Sequence, residues 1–156
     1  MQFTRRKFLA ATLATSAVAG LASIPLLQAK RHWLVSCGSD SKNNYFVAAM
    51  GLDGQLISKV NIPARGHDVI ALPNKPGHAL VFARRPGTFA LEVDFINHRI
   101  VKEINPQQGS HFYGHGIISK KHNILMTSEN DFASGDGQIV LRDSRNYQVI
   151  ERHVSG

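Results

Sequence analysis

The sequence predicts an all-β chain, about three blades of a β-propeller in an incomplete ring, behind a helical export signal. Three observations carry that expectation. First, residues 111–143 (HFYGHGIISKKHNILMTSENDFASGDGQIVLRD) can be laid over residues 66–94 (GHDVIALPNKPGHALVFARRPGTFALEVD). The pairs Gly66-His67 and Gly114-His115 lie 48 residues apart, in the range of roughly 40–50 residues for a propeller blade. In each copy a short apolar run, a turn, a second run, a Gly-containing loop and a third run ending in Asp follow. Second, helical periodicity is absent after residue 29, and short strand-like runs alternate with Gly, Pro and Asn turns. Third, 43% hydrophobic and 19% charged residues suit a globular chain rather than a disordered one. Turn spacing alone also fits a β-sandwich; the self-similarity favours the propeller.

Residues 1–29 stand apart from the fold. Thr4, Arg5, Arg6, Lys7, Phe8 and Leu9 open a long run rich in Ala, Gly, Ser and Thr. The segment resembles a twin-arginine export signal, with Arg5, Arg6, Phe8 and Leu9 at the motif positions. That resemblance implies the twin-arginine translocation machinery as a partner and a periplasmic location. Pro25 and the small polar residues argue against a stable membrane span, and cleavage is expected after Ala29.

The first unit, residues 31–63, holds three strands: 32–37, 45–50 and 55–62. Asp53-Gly54 supplies a tight turn, because Gly takes the positive φ such turns need. Pro63 ends the last strand. The second unit, 64–108, holds four: 67–72, 78–84, 88–94 and 99–104. Gly77, Pro86-Gly87 and Asn97-His98 punctuate it. The third, 109–156, repeats the order with strands at 115–119, 123–128, 138–142 and 147–153. Three units fall short of the four to eight, roughly, that close a ring. The chain therefore reads as the N-terminal part of a longer protein, with a short form that closes by self-association as the alternative. Whether it folds alone follows from the same question.

Net charge is +7, of which Arg5, Arg6 and Lys7 carry three, leaving +4 for the remainder. Arg84-Arg85 and Lys120-Lys121 are too short for a nucleic-acid stripe, so nucleic acid is not an expected partner. The single cysteine, Cys37, allows no intrachain disulfide and reads as a buried, inert thiol. No nucleophile elbow, P-loop or dinucleotide fingerprint is present.

The candidate chemistry sits at the repeat. His67 and His115 begin equivalent first strands, so they should stand in neighbouring blades at one rim of the channel. Two imidazoles there could bind a divalent metal. The structural alternative is a Gly-His start whose ring bonds backbone at the blade junction. His111 lies about 13 Å from His115 along an extended strand, so only a bend at Gly114 could bring both to one ion. Glu129, Asn130 and Asp131 enter a Gly-rich loop. Their oxygens suit a hard cation, but the spacing fails the calcium-loop pattern, which leaves turn capping. Arg84 and Arg85 could grip an anion; pairing with Glu129 or Asp131 one blade on is the expected arrangement.

Several motifs together give a family resemblance over the whole chain: Arg5-Arg6; residues 82–87 (FARRPG); residues 111–116 (HFYGHG); and Ser128, Glu129, Asn130 and Asp131 followed by Gly135 and Gly137. The chain is similar to the bacterial domain-of-unknown-function family 1513. That resemblance implies a twin-arginine-exported, seven-bladed propeller more than twice this length. It also implies an association with imelysin-like proteins of iron-related systems. It implies no activity. The expected function is a periplasmic ligand- or protein-binding module rather than an enzyme. The alternative is a metal-dependent hydrolase or lyase using His67 and His115, with His111 or Glu129 in support.

Overall fold

The computed structural model describes residues 32–155; the expected export segment, 1–29, lies outside the described residues. Every regular element among the described residues is a strand. In order they are β1 (Trp33–Ser39), β2 (Tyr45–Gly51), β3 (Leu56–Asn61), β4 (Gly66–Ala71), β5 (His78–Ala83), β6 (Ala90–Asp94), β7 (Arg99–Ile104), β8 (Ser110–Ser119), β9 (Ile124–Asp131), β10 (Gly137–Asp143) and β11 (Val149–Val154). Consecutive strands pair antiparallel in three sheets, β1-β2-β3, β4-β5-β6-β7 and β8-β9-β10-β11. The first sheet has three strands and the others four, as the sequence predicts.

A neighbouring sheet covers each face of the middle one, and this distinguishes stacked blades from two facing layers. The sequences HALVFA of β5 and ALEVD of β6 are apolar on consecutive positions, so both faces of the middle sheet need cover. They receive it. Ala79, Val81, Ala83, Leu91 and Val93 pack on Val47, Ala49, Val60 and Ile62 of the first sheet and its exit. Leu80, Phe82 and Ala90 point the other way, onto Phe112 and Leu125 of the third. The Phe82 and Phe112 rings meet edge to face at 5.9 Å. Contacts between sheets concentrate on their first strands, β1 against β4 and β4 against β8. Sheets that stack in chain order and meet at their first strands are propeller blades.

The last hairpins of the two four-stranded blades are built the same way. Asp94 Oδ1 accepts the backbone N–H of Ile96 and Asn97, both at 3.0 Å. Asp143 Oδ1 accepts that of Arg145 at 2.8 Å. His98 (φ 53) and Tyr147 (φ 68) then close equivalent turns in the left-handed region. The repeated terminal Asp is thus a turn-former bonding nearby backbone.

Two of the strand boundaries that differ from the sequence reading have a visible cause. β8 begins at Ser110, five residues before His115, because the backbones of Gly87 and Phe112 bond each other, at 2.7 and 3.3 Å. This pairing draws residues 110–112 into the sheet ahead of an irregularity between Phe112 and Gly116. β11 begins at Val149, because Tyr147 leaves the strand path to enter the core.

Phe82 is fully buried and serves the second interface. Phe82→Ala should destabilise the protein by about 3–5 kcal/mol, read as a lower urea midpoint at unchanged slope.

Candidate functional site

The first strands carry the site. His67 is the second residue of β4, and His115 lies within the irregularity of β8, just before Gly116. Their rings lie 4.8 Å apart, edge to face. Gly114 makes this approach possible. Its φ of +98 is costly for any other residue, and a Cβ there would stand 2.7 Å from His67 Cδ2. His67 and His115 are exposed.

Beside them a recess of about 330 Å³ opens between β1 and β4. Residues 36–39, Arg65, Gly66, His67 and Arg84 line it. The strands close tightly at its floor, where a Cβ on Gly66 would lie 2.3 Å from Cys37 Sγ. Burial pushes the Cys37 thiol up to about 11, with the Asp68 carboxylate adding to the rise. It is therefore an uncharged thiol at neutral pH, not a nucleophile. The Arg84 backbone N–H donates to the Arg65 carbonyl at 2.8 Å, holding the two arginines side by side. Among the described residues neither guanidinium has an ion-pair partner.

The bend at Gly114 does not bring His111 to His115. His111 is buried, its Nδ1 lies 3.0 Å from the Phe112 carbonyl, and its ring packs on Phe132 and Tyr113, at 4.7 and 6.1 Å. Glu129 is fully buried and held by Arg142 and the Thr127 hydroxyl. Among the described residues no three His, Cys, Asp or Glu side chains converge on a point suited to a metal ion. His67 and His115 thus form a pair without a third protein donor beside them.

The expected pairing of Arg84 and Arg85 with Glu129 or Asp131 does not form. Arg85 donates to the Tyr113 hydroxyl and its guanidinium lies over the Tyr113 ring, 4.7 Å from its centroid. Glu129 faces inward, where Arg142 on β10 is the nearer cation. Asp131 accepts the backbone N–H of Ala133 and Ser134, at 2.8 and 2.9 Å, and these bonds hold its carboxyl below the usual range. Asn130 donates to the Gly135 carbonyl at 3.1 Å. In these contacts both residues serve the turn.

Two features lie outside the residues singled out from sequence. Arg65 precedes Gly66-His67 where Tyr113 precedes Gly114-His115, so the repeat alignment marks the position. The other is a buried carboxylate, Glu92 on β6. It accepts Lys75 Nζ at 2.8 and 2.9 Å and the Tyr147 hydroxyl at 2.6 Å, with His78 Nδ1 at 3.0 Å. An acid inside the apolar run ALEVD is the signal that could have flagged it. Burial pushes the Glu92 carboxyl up, but the bonds from Lys75, Tyr147 and His78 and the Lys75 charge outweigh that and hold it lowered.

The family model described as Protein of unknown function (DUF1513) matches residues 60–156. No curated protein matches the chain. Among solved structures, dihydro-heme d1 dehydrogenase NirN in complex with DHE is similar, with a TM-score of 0.59 at 14% identity. The likeness covers 77% of this chain and 27% of that one, so the chain spans about a quarter of that structure's length. At that identity it bears on the fold.

A carboxyl lowered in the folded state stabilises above its unfolded value and loses that contribution as pH falls through the folded one. Wild-type stability should therefore decline below about pH 4.5, the ordinary carboxyl value. In urea melts between pH 3 and 7, Glu92→Gln should cost about 2 kcal/mol at pH 7 and show a shallower decline in acid.

Proposed function

Since the chain belongs to the family described as Protein of unknown function (DUF1513), we propose that this β-propeller is a ligand-binding module acting without covalent chemistry. Its site is the inner rim formed by β1, β4 and β8. The observation that carries the reading is the exposed His67–His115 pair, 4.8 Å apart beside an open polar recess. An imidazole in its neutral form can donate one hydrogen bond and accept another. Among the described residues the one cysteine beside them, Cys37, is held as the thiol.

The proposal extends to place and partners. Arg5, Arg6, Phe8 and Leu9 support export by the twin-arginine machinery and a periplasmic location. A partner from an imelysin-like, iron-related system is the association that the family resemblance suggests.

The His67–His115 contact also favours a second reading, a metal-dependent hydrolase or lyase. A divalent ion held by the two imidazoles would take its remaining ligands from water or substrate, and would activate that water. Metal analysis of protein purified without chelator separates the readings. The binding module predicts well under one equivalent of metal. It also predicts that the His67 and His115 imidazole NMR signals move on titration with one class in a panel of small carboxylates, phosphates and sugars. One equivalent of metal, lost in His115→Ala, would overturn it in favour of the enzyme.

A further inference from the structure

The recess between β1 and β4 has a chemical character that narrows its ligand, and the inference rests on the inner-rim reading above. Arg65 and Arg84 stand together on its wall, fixed by the 2.8 Å backbone bond between them. Several other cations of the fold are already engaged. Arg85 stacks on Tyr113, Arg145 pairs with Asp143, and Lys75 binds Glu92. Among the described residues, Arg65 and Arg84 have no carboxylate partner.

The remaining lining adds no negative charge. Ser36 and Ser39 bring hydroxyls, Gly38 brings backbone alone, and Cys37 is a neutral thiol. Asp68 is close enough to act on Cys37 but is not part of the lining. Asp68 Oδ1 accepts the Val69 N–H at 2.8 Å. β1 and β4 are hydrogen-bonded within their sheets along one edge only, so alternate backbone N–H groups on the other edge are available as donors. Two guanidiniums, an imidazole, hydroxyls and free N–H groups are predominantly donors, and the ligand must supply acceptors. Planar guanidiniums bind carboxylate and phosphate oxygens in bidentate fashion.

We propose that this recess binds a small solute bearing a carboxylate or phosphate group, clamped between Arg65 and Arg84. Its volume leaves room for a group larger than the bare oxyanion. His67, on the same wall, contacts the rest of the ligand.

Calorimetric titration of the full chain with inorganic phosphate and, separately, with citrate tests the proposal. At least one should bind saturably, and binding should weaken with added salt. Arg65→Gln and Arg84→Gln should each weaken it by about tenfold, while Arg145→Gln, on the surface away from the recess, should match wild type. Arg84→Lys, which keeps charge but loses the fork, should fall between. Circular dichroism checks that each variant is folded. Binding of phosphate alone assigns a phosphate-bearing ligand, and binding of citrate alone assigns a polycarboxylate.

Absence of binding by both anions, or binding indifferent to both arginine substitutions, would overturn the anion site. Imidazole signals at His67 and His115 distinguish this from failure of the broader reading. If only sugars move them, the rim is a binding site of another class. If arginine-dependent anion binding leaves both imidazoles still, the anion site stands and the imidazole reading falls.

Discussion

The structure depends on the two-sided burial of the middle sheet. β5 and β6 present apolar side chains on both faces, so neither face can meet water without loss. Covering both faces forces the first and third sheets into place, and the concentration of contacts at the first strands then sets where β1, β4 and β8 meet. The imidazole pair and the arginine recess are by-products of that packing. A sheet with one polar face would have let the chain splay, and His67 would have had no neighbour.

The same dry interface contains two carboxylates, Glu92 and Glu129. Burying an unpaired charge is expensive, so each is surrounded by donors: Lys75, Tyr147 and His78 for the first, Arg142 and Thr127 for the second. These networks add geometric demands that apolar contacts lack. Tyr147 reaches Glu92 from the third sheet across 55 residues of sequence. An apolar interface could slide by a side chain's width at small cost. A carboxylate that must meet Tyr147 and Lys75 together fixes how the second and third sheets sit on one another, and with it the separation of His67 and His115.

Much of this was readable in the sequence, for a definite reason. Blade strands, turns and the three-strand first unit are local, and the order of Gly, Pro and Asp encodes them directly. The neighbouring of His67 and His115 was readable because a repeat converts sequence register into spatial register. Pairings between sheets were not. Arg85 meets Tyr113 rather than an acid, and Glu129 turns inward to Arg142, because the choice of partner depends on which face each strand presents once packed. The early start of β8 escaped for a similar reason: its cause is a backbone bridge to Gly87, 25 residues away. Glu92 sits among apolar neighbours where alternation gives no hint of its partners.

The aspartate turns of the outer hairpins have a consequence for how such a chain grows. Asp94 and Asp143 satisfy backbone groups within their own loops, so it is side chains of those hairpins, His98 toward Ser58 and Tyr147 toward Glu92, that reach the adjoining unit. A duplicated gene segment can therefore arrive with the backbone of its terminal loop already satisfied. Only the apolar faces and the few inward acids must then be reconciled with the new neighbour, and copies are free to diverge first along their inner strands. The replacement of Arg65 by Tyr113 at matching positions is what such divergence would leave behind.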